Sequence, residues 1–308
     1  MFSSDNPGKV GPKGLCFLRI IQVGLREGDC RGYIMDTDDV LQRFRGHLTA
    51  TGKSPNTLRP YVRDLSLFAR WFETTNGKEL SPEAITLIDI RQYRRHLLTV
   101  KGRKPATVNR KLASLSAFCT WAREEAMIPA NPAQGIGQVE EVRPAPKWLD
   151  KRGQYALLRA VQERGRQRDV ALITLMLHTG LRLSEVAQLR VGDVRIWPRK
   201  GSVTVRGGKG NKFRTVPLNV DARKALRAYL EKRPEVDGDR LFVGQRGEPL
   251  KPSGIYYLVR RYAYDSRLEE VTPHTLRHTF GKNLVDAGVP LDRVSQLLGH
   301  ERVDTTRI

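Results

Sequence analysis

Four short stretches in the second half of this 308-residue chain collect the side chains best suited to handling an anion. "TGLRLSEV" places Arg182 after an apolar run, with Glu185 three residues on, and "GGKGNKFR" puts Lys209 in a glycine-rich turn. "PHTLRH" sets His274 and Arg277 at i and i+3 on one helix face, and "LLGH" puts His300 just past a glycine. Breaking a phosphodiester without a metal needs another source of positive charge for the two non-bridging oxygens. Two guanidiniums supply it best, because each offers a fixed fork of donors that keeps its protons near neutral pH. Other readings of single residues stay open. Arg182 alone also fits a helix cap or a pair with Glu185, and Lys209 also fits a solvated turn lysine, with Lys212 as a rival for its role. His274 and His278 stand at i and i+4 like a zinc pair, but Thr275 occupies the place of a metalloprotease glutamate, so His278 reads as a packing residue and no metal is expected. The phosphate-binding pattern GxxxxGK[ST] is absent, and no ATP or other cofactor is indicated.

These clusters need elements to hold them. A helix over "DVALITLMLHTG" leads to Arg182, followed by a helix through "SEVAQLRVGDV". The alternating segments "SVTVRG" and "FRTVPL" around "GKGNK" predict a β-hairpin with Lys209 in its turn. Thr272 with Pro273 opens the helix carrying His274 and Arg277, and "PLDRVSQLLG" is a last helix stopped by Gly299. The first half is helical throughout: Ser54 and Pro55 open one helix, "SPEAITLIDIRQYRRHLL" a second and "KPATVNRKLASLSAFCTWAREEAMI" a third. Lys101, Arg103, Lys104, Arg110 and Lys111 gather at the start of that third helix. They read either as a solvated face or as a clamp on DNA phosphates. The expected fold is mainly α with a small β-hairpin or sheet, in two domains, since ~250–300 residues is where a single core stops growing. We place a helical domain at 35–135, a Pro/Gly-rich linker at 136–148 and a mixed α+β domain at 149–308. Residues 1–34 read as a disordered or non-native extension, with Met35 as an alternative start.

Lys and Arg number 54 against 33 Asp and Glu, a net charge of +21, and both halves are basic. Such an excess points to a polyanion, nucleic acid first. No stretch approaches the ~20 apolar residues that span a bilayer. Three cysteines, Cys16, Cys30 and Cys119, match neither a disulfide framework nor a zinc site, which fits a reducing cytoplasm.

The ordered set "TGLRLSEVAQLR", "GKGNKFRTVPL", "HTLRHTF" and "LLGH" resembles the catalytic domain of the tyrosine recombinases, in particular their phage-integrase and Xer-type branch. The helical first half resembles their SAM-like core-binding domain. The resemblance implies site-specific cutting and rejoining of double-stranded DNA through a 3′-phosphotyrosine, by a homotetramer on synapsed duplexes. It also implies roles: Arg182 and Arg277 as the phosphate clamp, Lys209 as proton donor to the leaving 5′ oxygen, His274 as general base, His300 as a second imidazole on the phosphate and Glu185 as a support for neighbouring cations. In the family the nucleophilic tyrosine follows the second histidine by nine residues; counted from His300 this is one place after Ile308, and the last of the nine tyrosines here is Tyr264. The expectation is therefore a chain that binds DNA but lacks its nucleophile, with a non-catalytic DNA-binding protein derived from a truncated recombinase as the alternative.

Overall fold

A computed structural model describes residues 36–141, 145–163, 166–206 and 213–299. The expectations for residues 1–34, Cys16 and Cys30 included, fall outside these. The chain divides into two compact units between Val142 and Arg143.

Among the described residues the first unit is a bundle of four helices: α1 (Thr37–Ala50), α2 (Pro55–Asn76), α3 (Leu87–Thr99) and α4 (Pro105–Glu124). Local chemistry sets their ends. Asp36 accepts from the Asp39 N–H at 2.7 Å, and Thr86 and Asp89 form a reciprocal capping box. Proline opens both α2 and α4, where a missing N–H costs nothing, and Gly77 closes α2 with φ +66°. The core is aromatic. Phe44 meets Phe118 edge-on at 5.4 Å, and Phe68 meets Tyr93 at 5.0 Å. Cys119 is fully buried within it, and burial pushes its thiol up to about 12. Residues Ile136 and Val139 of the expected linker pack on this unit, with Asn109 bonded to both backbone groups of Val139 at 2.8 Å. On the other side, Leu149 is buried in the second unit and its N–H donates to Thr279 at 2.9 Å. The irregular backbone that Pro and Gly signal is thus anchored at both ends.

The second unit is built on α6 (Gln167–Thr179), whose residues 171–177 are all buried. α5 (Lys151–Glu163), α8 (Val220–Glu231) and α10 (Pro273–Asp286) pack around it. A helix apolar on every side has to sit in a core. The sheet has three antiparallel strands in the order β1 (Val194–Ile196), β2 (Gly201–Val205), β3 (Arg214–Pro217), with Val203 facing both Val194 and Val216. The hairpin expected from "SVTVRG" and "FRTVPL" is β2–β3. The helix expected through "SEVAQLRVGDV" is corrected: α7 covers only Leu183–Gln188, and the rest is a 3₁₀ turn at Val191–Asp193 followed by β1. The helix ends because Leu189 and Arg190 turn extended. The Leu189 carbonyl then accepts from Leu241 N–H at 2.8 Å, Val191 N–H donates to Asp239 O at 2.8 Å, and Asp193 accepts from Arg190 N–H at 2.9 Å. α9 (Pro252–Asp265) and α11 (Leu291–Leu298) are the remaining described helices of the unit. Among the described residues no helix is long and apolar enough to cross a membrane.

Candidate active site

The site forms where three buried elements end close together. α6 stops at Gly180, whose φ of +59° favours glycine. A Cβ there would stand 2.5 Å from the Phe280 ring and 2.9 Å from Leu298 Cδ2, so glycine also permits α6, α10 and α11 to meet. Gly180→Ala should therefore cost about 1–3 kcal/mol through overpacking, with backbone strain added. Urea denaturation measures this, and an unchanged midpoint would mean that the helices separate freely.

Two residues after Gly180, Arg182 caps the short helix α7. Its N–H donates to Glu185 Oε2 at 2.7 Å and its Nη1 to Glu185 Oε1 at 3.0 Å. On α10, Thr272 and Thr275 form the cap, His274 is exposed in the first turn, and Arg277, only 6% exposed, lies beneath. Arg277 donates Nη1 to Gly180 O and Nη2 to Leu298 O, both at 2.7 Å. Arg182 Nη2 donates to Gly299 O at 2.6 Å. A third guanidinium joins them: Arg214 on β3 grips Glu185 with Nη1 and Nη2 at 2.8 and 2.7 Å and donates Nε to Leu297 O at 2.9 Å. The carbonyls of Leu297, Leu298 and Gly299 thus each hold a different arginine. The end of α11 is a natural place for them, since unpaired carbonyls there carry partial negative charge.

Electrostatics follow from one carboxylate among three cations. Arg277 is lowered to about 10, first by burial and then by Arg182 and Arg214, against the pull of Glu185; it stays charged at neutral pH. Burial pushes the Glu185 carboxyl up, but the hydrogen bonds and charge of Arg214 and Arg182 outweigh it, and it lies below its usual range. His278 is lowered by burial and by His274 and Arg277, which favours its neutral form. The arrangement leaves positive charge in excess, set to meet an anion.

The structure brings Arg182, Glu185 and Arg277 together, with His274 one turn before Arg277 on α10. Lys209 and His300 lie outside the described residues. In the first unit Lys101, Arg103 and Lys104 are exposed around the start of α4. Arg110 and Lys111 are engaged elsewhere: both pair with Asp64, Arg110 through a two-pronged contact and Lys111 at 3.0 Å. Lys111 is 7% exposed on the face of α4 that carries Val108, Leu112 and Leu115, so it belongs to the core rather than to a phosphate-facing surface. Arg214 is the site residue that sequence reasoning missed. It is in phase with Val216 and Leu218, both buried, and an arginine on the inward face of a strand calls for a buried acid.

Comparison with known proteins agrees with this geometry. A model of the phage integrase family matches residues 147–308, and a model of the phage integrase N-terminal SAM-like domain matches residues 41–126. The chain is similar to the tyrosine recombinase XerC of Thermodesulfovibrio yellowstonii, 33% identical over 285 residues, covering 89% of this chain and 91% of the relative. It is likewise similar to the tyrosine recombinase XerD of Ralstonia nicotianae, 35% identical over 281 residues and covering 88% of each. The fold matches that of the XerH site-specific recombinase in a post-cleavage complex with its palindromic difH substrate, with a TM-score of 0.71 at 22% identity over 87% of this chain and 79% of the other. It also matches the Tn1549 transposon integrase in complex with a circular intermediate DNA, with a TM-score of 0.70 at 21% identity over 87% and 93%.

Proposed function

This chain belongs to the phage integrase family of tyrosine recombinases, and on that premise we propose that its partly buried arginine cluster is the grip on one scissile DNA phosphate. Arg182 and Arg277 hold the two non-bridging oxygens, and Glu185 keeps their guanidiniums apart and oriented. The family's tyrosine attacks phosphorus while His274 takes its proton. The bond to the 5′ oxygen then breaks, leaving a 3′-phosphotyrosine, and Lys209 protonates the departing oxygen while His300 donates to the phosphate. Rejoining is the reverse, with a 5′ hydroxyl as nucleophile. In this reading residues 35–135 are the core-binding domain, 136–148 the linker and 149–308 the catalytic domain. The working unit is a homotetramer on two synapsed duplexes in the cytoplasm.

The observation that carries the reading is the convergence of Arg182, Arg214 and Arg277 around the single carboxylate of Glu185. Buried cations in excess of their counter-ions are costly unless an anion completes them. A phosphodiester carries one negative charge and its transition state more, so the site favours the second over the first.

The exposed lysines and Arg103 at the start of α4 extend the grip along the backbone. Affinity for duplex DNA should fall with salt, log K changing by about −0.9 per phosphate neutralised. Lys104→Ala should weaken binding evenly across sequences and reduce that slope by about 1. Fluorescence anisotropy over a salt series measures both, and binding that stays flat between low and physiological salt would overturn the clamp.

A further inference from the structure

We propose that Arg214 is a positioning residue, which fixes the Glu185 carboxylate from β3 and through it the guanidinium of Arg182 against the end of α11. The inference rests on the phosphate-grip reading and names a part of it that neither arginine of the grip supplies.

The two gripping arginines are held in different ways. Arg277 is 6% exposed and hydrogen-bonded to Gly180 O and Leu298 O, so burial and two backbone carbonyls restrain it without Glu185. Arg182 has a side chain 39% exposed, and a long side chain facing solvent wanders unless partners restrain it. Its restraints are Glu185 and the carbonyl of Gly299. Glu185 in turn needs its own anchor. Its Oε1 accepts from Arg182 Nη1 and Arg214 Nη1, and its Oε2 from the Arg182 N–H and Arg214 Nη2. Four bonds fill the acceptor sites of a carboxylate, and half of them come from Arg214.

Arg214 is itself well placed for this, with most of its donors engaged within the protein. Its side chain is 15% exposed, and three of its five N–H groups are committed to Glu185 and Leu297 O. The fit is close: a Cβ on Gly299, which has φ +68°, would lie 2.8 Å from Arg214 Nη1 and 3.0 Å from its Cζ. Glycine at 299 therefore admits the guanidinium flat against the last turn of α11. β3, the start of α7 and the end of α11 are tied by this one side chain. A lysine has the charge but no planar fork, and cannot span two carboxylate oxygens and a carbonyl.

The test uses the 308-residue chain and a duplex selected by it from a random-sequence pool, with each phosphate replaced in turn by a neutral methylphosphonate. In the wild type, one replacement should carry a binding penalty that depends on Arg182 and Arg277, vanishing in Arg182→Ala and Arg277→Ala. Arg214→Ala should reduce that penalty by roughly tenfold, the scale of one charged hydrogen-bond set, and leave the other phosphates unchanged. Arg214→Lys should fail to restore it. Glu185→Gln should produce the same loss, and combining it with Arg214→Ala should add less than about twofold, because the two act through one linkage. A full wild-type penalty in folded Arg214→Ala or Arg214→Lys overturns the inference. So does an even loss at all phosphates together with a lower melting temperature, which marks simple structural support. If the wild type itself shows no phosphate whose penalty depends on Arg182 and Arg277, the grip fails before Arg214 is touched, and the inference fails with it.

Discussion

Replacing Arg277 by alanine should slow DNA cleavage by about 10²–10³-fold, the usual loss when one fixed transition-state donor is removed. The measurement is single-turnover formation of the covalent adduct on a nicked suicide duplex, by a form of the protein that carries the family's tyrosine. Two effects contribute, and they separate. Loss of the guanidinium removes positive charge from a site where burial makes that charge most effective, since little solvent screens it. It also strips donors from Gly180 O and Leu298 O, two carbonyls that fix the ends of α6 and α11. The second effect costs stability, on the order of 1–3 kcal/mol for each buried acceptor left without a donor. Arg277→Lys distinguishes them: it retains the charge but cannot reach both carbonyls with one ammonium, so it should recover part of the rate and little of the stability. Adduct formation within about tenfold of wild type in Arg277→Ala would remove Arg277 from the grip.

The site was legible in the sequence where one residue type can do one job. Arg182 and Arg277 answer the needs of phosphate chemistry and Glu185 is implied by the family resemblance, and the structure gathers them from α7 and α10, well apart in the chain. Helix ends were legible for a related reason. Thr272 with Pro273 and Gly299 each solve the same local problem of unpaired N–H or C=O groups, and that solution is written within four residues. What was illegible depends on distant partners. α7 stops at Gln188 because Leu189 and Val191 bond to Leu241 and Asp239, about fifty residues on, and no local pattern announces that. Arg214 finds Glu185 across 29 positions, and within the strand segment "FRTVPL" nothing local names that partner.

The same limit explains the first unit. Lys111 belongs to a basic run by sequence and to a buried face by geometry, and the two readings differ only in phase. Placed on α4, Lys101 and Lys104 precede or open the helix and face solvent, whereas Lys111 shares the side of Val108 and Leu112. Its counterpart carries the complementary sign: Asp64 sits within the apolar stripe Tyr61, Leu65, Phe68 of α2, where a lone carboxylate is costly. A basic residue and an acidic residue, each out of place on an apolar helix face, together predict a buried pair.

That pair yields the largest stability effect expected in the molecule. Asp64 is 3% exposed and accepts from Lys111 Nζ at 3.0 Å, from Ser114 Oγ at 3.3 Å and from the Arg110 guanidinium. Asp64→Ala leaves the Lys111 ammonium buried without its counter-ion, while half-exposed Arg110 can turn to water. Breaking one side of such a pair costs about 3–5 kcal/mol, a large share of a domain's ~5–15 kcal/mol. Hydrogen exchange along α2 and α4 in a urea series reads this unit separately from the rest of the chain, which need not unfold in one step. The control is the paired replacement Asp64→Leu with Lys111→Met. It removes both charges and fills the space with apolar atoms, so the charge pair's desolvation disappears with it, and stability should return to near the wild-type value or exceed it. If Asp64→Ala costs less than about 1 kcal/mol, as a surface pair would, then Lys111 reaches solvent, and its place among the exposed lysines at the start of α4 would have to be restored.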